Sequence, residues 1–292
     1  DAHRRIIARC RELDIGFLST AGDNDSLDLL TKTFGLTRIK LGSGELTNAP
    51  LLLAAARSGA EIILSTGMGT LSEVEEALGV LAFGLMRQDE PETRSDFAAA
   101  LHNRKAWAAL KERIILLHCT TEYPAAVANT NLRAMATMRA ASSLRVGYSD
   151  HTEGYAVSLA AVALGAEVLE KHFTLDRGLP GPDHAASLEP AELRALVRDV
   201  RAVESALGDG IKQPDTAEIG NREVVRKSLR AARDLPVGHI LRANDLIVMR
   251  PEDGLSPMAM WDAVGQKVVV NKIYRGEKIT SGNTFPAELN KQ

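Results

Sequence analysis

The chain reads as an α/β protein built on a parallel sheet of the (β/α)8-barrel type, followed by a small β-rich domain. Three observations predict this. Short apolar runs of strand length alternate with segments of helical periodicity over the first 207 residues. Histidine, lysine, serine and threonine repeatedly follow the ends of those runs. Beyond Leu207 the texture changes to a polar stretch, and then to short β-rich pieces broken by turn residues. Strand–helix alternation is the mark of a parallel sheet, and barrel sites gather where such strands end. The 292 residues are 45% apolar and 25% charged, a globular composition with ample length for a core.

Helical periodicity opens the chain at 3–13, and because Asp1 already lies against that pattern, residues upstream are expected to be missing. Strands are predicted at 15–19, 38–41, 62–65, 114–118, 145–148 and 168–171, and helices at 26–34, 49–58, 71–81, 132–141, 155–164 and 190–206. The connection 83–111 is longer than a barrel needs. It is charged around 87–94 and is expected to carry an extra outer helix at 96–110. The domain division expected is 1–207 for the barrel, 208–224 for an aperiodic linker and 225–292 for the β-rich domain.

A net charge of -3 argues against a nucleic-acid partner. No apolar run approaches the roughly 18 residues of a membrane span, and no signal segment opens the chain, so no membrane partner is expected. Cys10 and Cys119 lack metal-type spacing and fit a reduced, cytoplasmic setting.

The strands ending at 148 and 171 flank one alanine-rich helix and so form a βαβ unit, whose strands should be parallel neighbours. His151 and His172 then emerge at the same sheet edge. Two imidazoles with no third strong ligand suggest a labile metal site completed by water and substrate oxygens, with Asp150 or Glu170 as a partner that orients an imidazole. Lys40 lies within an apolar strand pattern, where an ammonium is costly unless paired. Pointing inward, it would be an anion or carbonyl ligand. Gly42, Ser43 and Gly44 follow it, and the Glu45–Ala49 region opens a helix whose amides favour an anion. Ser65, Thr66 and Gly67 repeat the theme one strand later, and Ser19 and Thr20 one strand earlier; three such clusters suggest hydroxyls around a polar ligand such as a phosphate. Thr121 and Tyr123 are candidate pocket contacts. His118 reads as a packed core residue, Cys119 as no nucleophile, and Trp107 and Trp261 as packing residues.

Six ordered motifs, KLGSGE (40–45), ILSTGM (63–68), LLHCTTEYP (116–124), GYSDHT (147–152), LEKHF (169–173) and GPD (181–183), resemble the sialic acid (N-acetylneuraminate) synthase family, legionaminate synthases included. The tail 228–257 resembles the antifreeze-like (SAF) domain of that family. The resemblance implies a transferase that joins phosphoenolpyruvate to N-acetylmannosamine or a 2,4-diacetamido-6-deoxy analogue and releases phosphate. By position it implies His151 and His172 as ligands of Mn2+ or Mg2+, and a catalytic set of these two with Lys40 and Glu45. Lys40, Ser43, Ser65 and Thr20 would contact phosphoenolpyruvate. Glu45, Tyr123 and Asp183 would hold the sugar, and Thr121 stands where many members have asparagine. Arg250, in the MRPEDG turn, would reach across a domain-swapped homodimer to the sugar's N-acetyl group.

Family members normally begin with two further strands, one carrying a glutamate in an A-E-I-G-like motif and one a lysine in a V-K-F-Q-like motif. Neither motif is present in these 292 residues, and the expectation is that the natural protein has both strands and that this sequence is a truncated form of it. Two other readings stay open at this point: a metal-dependent hydrolase on the same barrel, and a catalytically inactive sugar-binding homologue.

Overall fold

Five of the six predicted strands pair into one parallel sheet, and their sequence explains why. β1 (Arg38–Leu41), β2 (Glu61–Ser65), β3 (Ile114–Cys119), β4 (Arg145–Asp150) and β5 (Leu169–Lys171) lie side by side in chain order. The computed structural model describes residues 1–265 and 267–286, in two compact units, Asp1–Asp209 and Gly210–Gln292. The first four strands are near-continuous apolar runs, as burial on both faces requires.

Alternate residues serve the two faces. Ile39, Leu41, Ile62, Leu64, Ile114, Leu116, Val146 and Tyr148 join the large core under the helices. Ile63, Ile115 and Leu117 form a separate cluster, with Val168 packed against it, on the inner face of a curled sheet of the barrel type. Register then fixes what lies beside and above that cluster: Ser65 pairs with Leu117, Cys119 with Ser149, and Ser149 with Glu170. Below it, Glu61 accepts hydrogen bonds from Arg38 and Arg145. Gly147 permits close approach of β4 and β5, since a Cβ there would fall 2.3 Å from the Val168 carbonyl oxygen.

Helices α1 (Ala2–Glu12) and α2 (Asn24–Asp28), the latter continuing into a π turn at Leu29–Thr33, precede β1. Helices α3 (Ala49–Arg57), α4 (Leu71–Met86), α5 (Arg94–Ala100), α6 (Arg104–Arg113), α7 (Ala134–Ser142) and α8 (Ala156–Ala163) connect the strands, and α9 (Pro190–Leu207) ends the unit. Capping residues set their starts: Thr70 with Glu73 for α4, and Glu189 with Glu192 before Pro190 for α9. The outer helix expected at 96–110 is two helices, because Asn103 caps a new start.

Segment 15–19 is not a strand, contrary to expectation. Just after it, Thr20 forms one parallel bridge to Lys40, with the Lys40 amide donating to Ser19 O at 3.2 Å and the Ala21 amide to Lys40 O at 3.0 Å. The segment has no strand on its other side among the described residues. Ile15 and Leu18 stay exposed, so burial does not hold it extended. Beyond β5, Phe173 forms a similar bridge with Leu188.

The supposed linker 208–224 also differs. It holds α10 (Thr216–Val225), started by a capping box of Asp215 and Glu218 that its polar composition obscured. The second unit continues with two antiparallel pairs, β6 (Ser228–Ala231) with β7 (Leu246–Met249) and β8 (Lys267–Val269) with β9 (Thr284–Pro286), and a short helix α11 (Met260–Ala263). Leu229, Leu235, Leu241, Ile273 and Ile279 form its core. Asp245, fully buried, accepts hydrogen bonds from His239, Arg233 and the Arg242 amide.

Asp150 and Lys171 are register partners on the outer face of β4 and β5, with Nζ 3.3 Å from Oδ2. Asp150 is fully buried and accepts from the Thr152 amide at 2.9 Å, Thr152 Oγ1 at 2.7 Å and Ser158 Oγ at 2.5 Å. Asp150 therefore does not orient an imidazole, contrary to expectation, because strand alternation turns it to the opposite face. Burial pushes the Lys171 ammonium down, and the Asp150 carboxylate opposes that effect. Removing one member of a buried pair strands the other charge, so Asp150→Ala should destabilise the protein by about 3–5 kcal/mol in urea unfolding.

Candidate active site

The inner-face residues of β4 and β5 continue past the strand ends to His151 and His172, which meet as the βαβ argument expects. Their ring centroids are 5.3 Å apart with planes at 67°. His151 is buried, and its Nδ1 lies 2.7 Å from the Thr120 carbonyl oxygen. A carbonyl can only accept, so Nδ1 carries the proton and Nε2 keeps its lone pair. Burial holds this imidazole below its usual pKa, against the raising effect of the Thr120 carbonyl. His172 is partly exposed, with Nδ1 3.9 Å from Asp183 Oδ2. Tyr123 walls the pair, its ring 4.2 Å from that of His151 and 5.4 Å from that of His172. Burial first, then the neighbouring Cys119, Asp183 and Glu170, push its phenol up.

Lys40 is 5% exposed and inward, with Nζ 3.1 Å from Leu41 O and 3.5 Å from Glu170 Oε2. Glu170 Oε1 accepts from Ser149 Oγ at 2.7 Å, and Ser149 Oγ lies 3.3 Å from His151 Nε2. A polar chain therefore runs across the wall from Lys40 to the imidazole. Ser65 is 3% exposed, and its Oγ has no hydrogen-bond partner among the described residues. Such an orphan, on the same face as Lys40, calls for a ligand or water.

At the lip, Ser43 Oγ accepts the Gly67 amide at 3.0 Å and sits 3.1 Å from Cys119 Sγ. A side chain at Gly67 would displace its neighbours: a Cβ would fall 2.1 Å from Thr121 Oγ1, 2.7 Å from Cys119 Sγ and 2.8 Å from Ser43 Oγ. Glu45 ends a 3-10 turn and accepts from Asn48 Nδ2 at 2.6 Å. Thr20 is exposed and touches the group only through its backbone bridge to Lys40. Arg250 lies in the second unit, where its Nε donates to Val225 O at 2.9 Å. His118 faces the other way, with Nε2 2.7 Å from Thr130 O, as its packing role requires.

Ser149 and Glu170 join the wall although the sequence reading gave Ser149 no role and Glu170 only a supporting one. The signal was the period of two: each stands two residues before a histidine on the same strand face. Among the described residues no group of three or more His, Cys, Asp or Glu side chains is placed to hold a metal ion. Two imidazoles, one held in the tautomer that leaves Nε2 a lone pair beside Ser149 Oγ, suit a divalent cation that takes its remaining ligands from water or substrate. A cavity of about 790 Å³ lies elsewhere, between α3, α4, α5 and α6, and includes none of these residues.

Residues 1–212 match the NeuB family and residues 226–283 the SAF domain. The chain is 44% identical over 278 residues to N,N'-diacetyllegionaminic acid synthase of Campylobacter jejuni, covering 95% of this chain and 75% of that protein. It is 33% identical to human N-acetylneuraminate-9-phosphate synthase, covering 92% of this chain and 68% of the relative. Among solved structures it is similar to N-acetylneuraminic acid (sialic acid) synthetase from Leptospira borgpetersenii in complex with citrate, at 34% identity and a TM-score of 0.61, covering 74% of this chain and 67% of that one. Among the described residues no helix is long and apolar enough to cross a membrane. A parallel sheet that brings two histidines, a buried lysine and an unpaired serine to one face, in a chain matched this extensively, belongs to the NeuB family and carries a SAF domain in its second unit.

Proposed function

We infer that this chain is a nonulosonic acid synthase, a transferase that joins C3 of phosphoenolpyruvate to the aldehyde carbon of an N-acetylated amino sugar. Water adds at C2 of the phosphoenolpyruvate unit, and C–O cleavage releases phosphate. The observation that carries this reading is the shared wall of His151, His172, Lys40 and the unpartnered Ser65 hydroxyl. The relatives at 44% and 39% identity are both N,N'-diacetyllegionaminic acid synthases, which favours a 2,4-diacetamido-6-deoxy sugar over N-acetylmannosamine.

His151 and His172 would hold a divalent cation, Mn2+ or Mg2+. When bound, the cation supplies Lewis-acid polarisation of the sugar's carbonyl. Lys40 supplies a fixed positive charge for the anionic cosubstrate, in a wall where water does not screen it. The Ser43 and Ser65 hydroxyls donate to its oxygens, with Thr20 at the margin. Tyr123 covers the imidazoles, and Glu45, Asp183 and Thr121 face the sugar. Arg250 is assigned on this reading to the N-acetyl group in a homodimer, which solution mass would test.

Phosphate should be released only when phosphoenolpyruvate, the amino sugar and Mn2+ or Mg2+ are supplied together. Release from phosphoenolpyruvate alone would favour a hydrolase. His151→Ala and His172→Ala should each lose bound metal and most turnover; unchanged metal content in either would contradict the assignment. Ser65→Ala should leave the melting temperature unchanged or raise it, because it removes a buried unpaired hydroxyl at a cost of about 1–3 kcal/mol when unmet. The same variant should raise the KM for phosphoenolpyruvate.

A further inference from the structure

Ser43 has one hydroxyl proton and two acceptor positions. The Gly67 amide fills one acceptor position at 3.0 Å, and Cys119 Sγ stands at the other side, 3.1 Å away. The thiol is 5% exposed and has no other hydrogen-bond partner among the described residues. Two arrangements are available. Ser43 O–H can point at sulfur, a weak acceptor, or the Cys119 S–H can donate to Ser43 Oγ. Only the second leaves the hydroxyl proton free for a ligand. An anionic oxygen accepts far better than a thiol, so an arriving anion selects it.

We propose that Cys119 is the positioning residue for Ser43: its S–H occupies the last acceptor site on Oγ and turns the Ser43 proton onto the anionic cosubstrate. The unpartnered Ser65 hydroxyl, buried on the same sheet face, independently marks this wall as one that awaits a ligand. Gly67 completes the device. Its missing side chain leaves room for Ser43 Oγ, Cys119 Sγ and Thr121 Oγ1 to converge on one point. This assignment rests on the synthase reading above and gives a role to a cysteine whose sequence context offered none.

The test is titration calorimetry of phosphoenolpyruvate alone, then steady-state kinetics, on wild type, Cys119→Ser, Cys119→Val and Cys119→Ala. Losing the donor in Cys119→Val and Cys119→Ala should weaken phosphoenolpyruvate binding about tenfold, the scale of one hydrogen bond, with the sugar KM little changed. Cys119→Ser keeps a donor and should recover most of the affinity. In a Ser43→Ala background the Cys119 substitutions should add nothing further. Equal affinity in all variants, or Cys119→Ser as weak as Cys119→Val, overturns the role of Cys119 alone. A wild-type protein that binds no phosphoenolpyruvate removes the synthase reading itself, and this inference with it.

Discussion

The imidazoles meet because β4 and β5 are held in one register, and the lock on that register lies on the far side of the sheet. Asp150 and Lys171 face each other across the two strands in a dry setting, with every carboxylate oxygen occupied. A slip by one residue would send Lys171 inward and His172 outward, and would bury two uncompensated charges. The side chains next along each strand, His151 and His172, therefore inherit their placement from an ion pair that takes no part in their chemistry. Gly147 assists from below by letting β4 approach the Val168 carbonyl closely.

The inner wall is a graded environment rather than a pocket with one property. Glu61 gathers Arg38 and Arg145 at the N-terminal ends of the strands. Ile63, Ile115 and Leu117 fill the middle. Lys40 stands level with Ile63 and Ser65 with Leu117; Cys119, Ser149 and Glu170 follow, and the histidines stand at the edge. The Lys40 cation is strong because it is buried beside the apolar Ile63. Glu170 keeps it from being unpaired, so an anionic ligand competes with a carboxylate for Lys40 instead of meeting a bare charge.

Much of this was legible in the sequence. Buried parallel strands read as apolar runs, and a histidine follows each of two neighbouring ones, so both the sheet and the meeting of the two imidazoles could be read off residues 145–172. Segment 15–19 misled because it is apolar like a strand, whereas strandedness also requires a partner for its ladder, which a single chain segment does not announce. Helix α10 was hidden by polar composition, although the Asp215–Glu218 pair signals a helix start. Asp150 and Glu170 looked alike as carboxylates beside histidines; only strand parity separates a structural carboxylate from one on the site wall. Cys119 was weighed as a nucleophile because cysteine invites that question, and its partnership with Ser43 joins residues 76 positions apart.

Gly67 and Gly147 together confine where this catalyst can be retargeted. Neither position tolerates even a methyl group without displacing backbone or a neighbouring side chain. Glu45, Tyr123 and Asp183, by contrast, stand on turns outside the strands and are partly or largely exposed. An engineer seeking acceptance of a different sugar would thus leave the strand layer alone and diversify the rim, where exchanges alter fit without unsettling the foundation.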